Sequence, residues 1–220
     1  MSISFDVLFS LLLTETGRSL FMTVFATIGA YMIGLPLGLL LCLSDKDGVK
    51  PMGLLNRLVG LFINIMRAVP FLILAVVMIP IPRLIIGTSL GHYAMTITLI
   101  FAAFGFVARM VENSIKEVDK GVIEAAKSMG ASTFQIIYKV LIPEAKPSLV
   151  LGAAISATTI LGYSAMAGII GAGGLGAIAI NYGYYRRQSD IMWIAVIYLV
   201  LLVMISQFAG NMLARKLDKR

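Results

Sequence analysis

The residues with the outward form of a reactive site are the glycines of GAGGLG at 171–176, which satisfy G-x-G-x-x-G. That pattern cradles a dinucleotide only when a strand precedes it, a helix follows and an acid further on meets the ribose. Its flanks here are long apolar runs, and the nearest acid after it is Asp190. The glycines therefore read as a tight turn or a close-packing point at the outer end of an apolar helix. No G-x-x-x-x-G-K-[ST] loop and no nucleophile–base arrangement occurs, so the chain has no means of hydrolysing ATP by itself. The 13 methionines are scattered, which suits flexible packing better than a soft-metal site. Met166 is the exception. It lies between Gly162 and Gly168, where small neighbours leave room for a pathway, and Met166, Tyr163 and Ser164 are the candidate gate lining. The single cysteine, Cys42, can form neither an internal disulfide nor a multi-cysteine metal site and reads as a small core residue. His92 reads as interfacial. Arg67 is the one charge inside an apolar run, and two readings stand: a snorkelling stem, or a functional charge facing protein or water.

The richest chemistry lies between Arg109 and Lys146, which hold six basic residues together with Glu112, Glu117, Asp119, Glu124 and Glu144. Asp119 suits the N-cap of a short helix over 120–129, and Gly130 suits the left-handed position that ends it. Ser132 and Gln135 have the spacing of a capping box for a second helix over 133–141, which Pro143 is expected to break. Val122, Ile123 and Ala126 give the first helix an apolar stripe, while Lys120, Glu124 and Lys127 are spaced to pair on its polar side. A helix–turn–helix projecting from an apolar body suits a groove in a partner, whereas the plainer alternative is a solvated loop lying on headgroups.

The elements that position these residues follow from composition. Of the 220 residues, 59% are hydrophobic and 13% charged, against roughly 45–50% and about 25% in a soluble domain. That excludes a disordered chain, a disulfide scaffold and nearly every soluble enzyme. Uncharged runs at 20–43, 90–107, 148–185 and 191–213, with a fifth at 58–81 broken only by Arg67, are long enough to cross lipid. The expected fold class is all-α: one polytopic permease domain over 1–220 with about five transmembrane helices near 19–43, 58–81, 90–110, 148–170 and 190–213. The long cytoplasmic loop is expected over 112–146. Gly34 and Gly38 form a Gly-x-x-x-Gly pair suited to close helix approach. Val7 to Leu13 is too short to span and reads as an interfacial helix. The first charge is Asp6, so no cleaved signal peptide is expected. The net charge of +7 is a matter of topology rather than of nucleic acid, because 13 of the 18 basic residues fall on one side. Among them are Lys46, Lys50, Arg57, the six of the long loop and the C-terminal Arg215, Lys216, Lys219 and Arg220. The positive-inside rule then puts the N-terminus outside and the C-terminus in the cytoplasm. No acidic residue is expected deep in a span, which weighs against a stand-alone secondary transporter or channel.

The segment EAAKSMG followed by VLIP resembles the EAA loop of binding-protein-dependent ABC importer permeases, whose pattern is E-A-A, three residues, G, nine residues, then I-x-L-P. Glu124, Ala125, Ala126, Gly130 and Pro143 match in identity and spacing, and Val140 and Ile142 stand for the usual Ile and Leu. RAVPFLIL, ARMVENSIKEV, GYSAMAG with GAGGLG, and QFAG resemble the methionine branch of that family, although GAGGLG also occurs in permeases for glycine betaine and related solutes. The resemblance implies a type I importer fold in the bacterial inner membrane. It implies two copies around one pathway, each docked through its EAA loop onto one of two ABC ATPase subunits, with an extracytoplasmic solute-binding protein delivering cargo. ATP and Mg would be held by the ATPase and no cofactor or metal by this chain. Glu124 would supply a polar coupling contact and Gly130 the turn that fixes the helix pair. Permeation of another small solute is the alternative that the resemblance leaves open.

Overall fold

The computed structural model describes residues 5–217, so Lys219 and Arg220 of the basic C-terminus lie outside the described residues. Among those residues the chain is helical without strands. The helices are α1 Phe5–Ser44, α2 Gly53–Ala68, α3 Phe71–Val77, α4 Pro80–Ile86, α5 Gly91–Lys116, α6 Lys120–Ser128, α7 Thr133–Ile136, α8 Ile142–Ala167, α9 Leu175–Ile178 and α10 Ser189–Leu217. Four helical runs are long and apolar enough to cross a membrane: Asp6–Ser44, Gly91–Lys116, Thr133–Ile170 and Ser189–Leu217. A fifth crossing is available if α2 and α3, bent by 103°, act as one broken span.

That bend corrects the reading of 58–81 as a continuous span. Pro70 sits at φ −56°, ψ 137°, and a proline drives its own nitrogen and the preceding residue out of the helical ladder. Pro80 then opens α4 at its first position, and Gly87 closes it with φ 77°. A second correction concerns Val7 to Leu13, which is the beginning of α1 rather than a separate interfacial helix. The polar stretch that follows does not interrupt the helix because its groups are satisfied within it. The hydroxyls of Thr14 and Thr16 donate to the Ser10 and Leu12 carbonyls at 2.9 and 2.7 Å.

The chain forms two compact units. The first comprises residues 1–30, 69–103 and 157–208. Its core joins Leu8 and Leu12 of α1 to Leu175 and Ile178 of α9 and to Ile191 and Ala195 of α10. Burying these side chains is worth about 1.5–3 kcal/mol for each large one in water, but in lipid the gain comes from packing instead. The second unit comprises residues 31–68, 104–156 and 209–220, with Leu41, Ile63 and Ala108 at its centre. There the Gly34/Gly38 pair lies against α5. A Cβ at Gly38 would stand 2.5 Å from the Ala108 carbonyl oxygen, so only glycine permits this approach. The apolar window of α5 is 61% buried and that of α10 only 11%, which assigns α10 to the lipid or to another chain.

Candidate functional site

The segment expected to dock on a partner begins where α5 ends, and its base is a chain of ion pairs. Arg109 donates to Glu112 Oε2 at 2.5 Å and to Asn64 Oδ1 at 2.9 Å. The ammonium of Lys116 meets Glu112 Oε1 and Asp45 Oδ2, both at 2.8 Å. Glu112 is buried at 5% exposure, so its two cationic partners offset the cost of desolvating a carboxylate. The Lys116 ammonium and the Lys46 amide hold the Asp45 carboxyl below its usual range. The 109/112/116 spacing that builds this chain was visible in the sequence as i,i+3 and i,i+4 pairs. The partner Asp45 follows only from the fold. The α1–α2 connection turns as its Asp47-Gly48 predicts, with the Gly48 amide donating to the Asp45 carbonyl at 2.9 Å.

The element itself is capped at every end. Asp119 accepts from the Gly121 amide at 2.6 Å and starts α6. Gly130 takes φ +77°. The Ala131 amide donates to the Ala126 carbonyl at 3.1 Å and the Gly130 amide to Lys127 at 2.9 Å, a Schellman closure. Ser132 and Gln135 form the full capping box, at 2.8 and 3.3 Å, and start α7. Pro143 does not end this second helix. A π-helical turn over Ile137–Leu141 carries α7 into α8, and Pro143 stands at the second position of α8, directly after that turn. The second helix of the elbow is thus continuous with a helical run from Thr133 to Ile170.

Its surface sorts the motif residues. Ala126 is buried and Ile123 half-buried, so they form the inner face of α6, whereas Val122 is exposed. Glu124, Ala125, Gly130 and Pro143 are all exposed. Lys120 does not pair with Glu124 but lies 3.9 Å from Asp47. Behind α6 a cavity of about 310 Å³ is lined by Cys42, Asp45, Asp47, Lys116, Lys120 and Ile123, so Cys42 borders a void rather than a packed core. Sequence reasoning missed three large apolar side chains at the tip. Met129, Phe134 and Tyr138 are 82%, 74% and 66% exposed, and the last two stack with centroids 6.4 Å apart at 5°. Their i,i+4 spacing was the available signal. Exposed aromatics on a cap-locked elbow make a knob of the kind that fills a partner's pocket.

The other sequence candidates lie elsewhere. Met166 sits in the last turn of α8 rather than mid-span and is 45% exposed. Tyr163 stacks on Phe71 at 4.6 Å and 3°. Ser164 is fully buried and its hydroxyl donates to the Leu161 carbonyl at 2.7 Å. The stem of Arg67 lies beside Gly105, its head is exposed, and among the described residues it forms no ion pair. That geometry fits snorkelling. In the glycine run, Gly171, Gly173 and Gly174 all take positive φ and no strand precedes them, so the run is a turn and not a dinucleotide cradle. Two acids lie on the long apolar helices, Glu15 in the first part of α1 and Glu112 in the last turns of α5, both buried and both ion-paired.

Residues 30–219 match the family described as binding-protein-dependent transport system inner membrane component. The chain belongs to that family. As an inner membrane component of this kind it resembles the probable D-methionine transport system permease protein MetI of Vibrio cholerae, with 45% identity over 96% of this chain and 93% of that protein. It also resembles the methionine import system permease protein MetP of Bacillus subtilis, with 41% identity over 82% of both. Among solved structures, a chain of the MetNI methionine ABC transporter in an inward-facing conformation superposes with a TM-score of 0.96 at 42% identity, over 99% of this chain and all of that one. An amino acid ABC transporter chain at 20% identity and TM-score 0.75 shares the fold. The family member described here is accordingly an all-α, multi-span transport permease of the bacterial inner membrane.

Proposed function

We propose that this chain is the permease subunit of an ATP-driven methionine importer, in the inward-facing shape. Two copies enclose the pathway, because five crossings are too few to surround one. Each copy presents the 119–143 element to one of two cytoplasmic ATPase subunits, which hold ATP and Mg. The N-terminus is outside and the C-terminus in the cytoplasm, and an extracytoplasmic binding protein delivers the solute. Glu124 supplies a polar contact to the ATPase, Gly130 fixes the elbow, and Met129, Phe134 and Tyr138 anchor it. Met166 and Tyr163 border the route near the end of α8. The chain is not itself an enzyme, and it holds no metal or cofactor.

The observation that carries this reading is the elbow. A family motif spaced over twenty residues coincides with an exposed, doubly capped helix pair that is continuous with a membrane span. The methionine assignment draws on the relatives named above. Both buried acids are already ion-paired, which favours an ATPase partner over a coupling ion. The test is uptake of labelled L- and D-methionine into proteoliposomes holding the chain with its ATPase and loaded binding protein. ATP-dependent accumulation of either isomer is expected. Equal uptake without the ATPase would reject the importer reading, and displacement of methionine by glycine betaine at equal concentration would reject the substrate.

A further inference from the structure

One polar arrangement plays no part in the coupling element. Glu15, 7% exposed in an apolar setting, accepts a hydrogen bond from the Gly174 amide through Oε2 at 2.5 Å and meets the Arg18 guanidinium through Oε1 at 2.6 Å. One turn further along α1 the fully buried Ser19 accepts from the Leu175 amide through Oγ at 3.0 Å. Two successive amides of the glycine-rich turn are therefore held by two side chains of α1. The fit is steric as well as polar. Gly174 takes φ +84°, and a Cβ there would lie 2.7 Å from the Ser19 hydroxyl. The far side of the turn is pressed against the end of α8. A Cβ at Gly176 would stand 1.9 Å from the Ala165 carbonyl oxygen, and one at Gly168 would stand 2.4 Å from the Ala177 amide. The turn is wedged between α1 and the α8 turn that carries Met166. A buried carboxylate is costly unless its acceptor sites are filled, and here both oxygens are filled. Glu15 and Ser19 precede residues 30–219, the part of the chain matched to the family.

We infer that Glu15, with Ser19, is a positioning residue for transport: it latches the 171–176 turn and so holds the Met166 end of α8 in its inward-facing position. The inference rests on the importer reading above. The latch acts through the turn and touches no solute. In this proposal the latch yields as the outer side opens, so it stabilises the inward-facing form alone, and weakening it shifts the balance towards the outward-open form. Losing a hydrogen bond to a charged acceptor shifts such a balance about tenfold. In the reconstituted complex, Glu15→Ala should raise ATP hydrolysis in the absence of binding protein about tenfold and shrink the stimulation given by loaded binding protein. Glu15→Gln, which keeps an acceptor for the Gly174 amide but loses the Arg18 ion pair, should fall between wild type and Glu15→Ala. Ser19→Ala should move in the same direction by less. Hydrogen exchange at the Gly174 and Leu175 amides should quicken in each variant, while the amides of α6 stay at the wild-type rate. A structural lesion would instead depress hydrolysis and uptake together. That joint loss in Glu15→Gln and Ser19→Ala, or unchanged exchange at Gly174 and Leu175, overturns the latch, and these two variants decide the matter should Glu15→Ala not assemble. Failure of the wild-type complex to take up methionine would reject the importer reading instead, and the exchange rates in that complex would still judge the latch.

Discussion

Two of the glycine turns that end helices in this molecule are constrained for different reasons. Gly130 closes α6 at φ +77° with nothing within 4 Å of where a Cβ would stand. The 168–176 turn also uses left-handed glycines, but its Gly168, Gly174 and Gly176 are buried, and at Gly168 and Gly176 backbone touches backbone. The first glycine is demanded by a dihedral angle alone and the second group by space as well. An exposed turn that is rigid through its caps can present a surface to a partner. A buried turn that is rigid through contact can only transmit a displacement. On the proposed reading, the same residue type serves an interface in one region and a mechanical joint in the other.

The contrast breaks most visibly at Gly176. A side chain there meets the Ala165 carbonyl at 1.9 Å, and neither backbone can yield cheaply. Gly176→Val should exceed the usual overpacking cost of about 1–3 kcal/mol and sharply reduce the yield of monodisperse protein in detergent. Gly130→Val should behave differently. It carries only the left-handed strain, about 1–2 kcal/mol, in open space. Membrane insertion should be kept and the thermal midpoint should fall by only a few degrees while ATP-driven uptake collapses, and Gly130→Asn, which tolerates the same dihedral, should restore most of it. Uptake at the wild-type rate in Gly130→Val would remove the elbow from the coupling path. The double variant Phe134→Ala, Tyr138→Ala sharpens the comparison further. Both side chains are exposed, so stability should not change, whereas affinity for the ATPase should drop by about 2 kcal/mol or more if they are anchors. Titration of the purified permease with ATPase in detergent measures this directly.

How much of this was legible beforehand depends on the range of the interaction. Caps are local: Asp119, Gly130 and the Ser132–Gln135 box each act within a few residues, and each stands where spacing put it. Apolar length fixed the long spans for the same reason. What failed was any step that required knowing a neighbour. Pro143 was expected to break a helix because nothing in the sequence announces the π turn that accommodates it. Lys120 turned to Asp47 rather than Glu124, because the α1–α2 connection lies beside α6. Glu15 carries no local signal of its role. Its real partner, Gly174, is 159 residues away. The Pro70 bend was marked by its residue type, but the 103° angle was not.

The smallest effect is expected at the base of the elbow, where the Asp45–Lys116 pair tests whether the elbow needs its electrostatic footing or only its caps. Both side chains remain partly solvated, 33% and 44% exposed, so the pair should contribute at most about 1 kcal/mol. The sign of its pH dependence follows from the depressed carboxyl of Asp45. A carboxylate whose folded-state value lies below the unfolded value, about 3.9, stabilises the fold fully above that value and loses the contribution as pH falls through the folded one. Thermal midpoints of wild type and Asp45→Asn should therefore differ slightly and constantly from about pH 5 to 8, and converge only in stronger acid. Glu112 keeps Lys116 partnered in the variant, so uptake should change little. A loss of uptake in Asp45→Asn as large as that in Gly130→Val would mean that the elbow is held in place by charge, and that its caps are secondary.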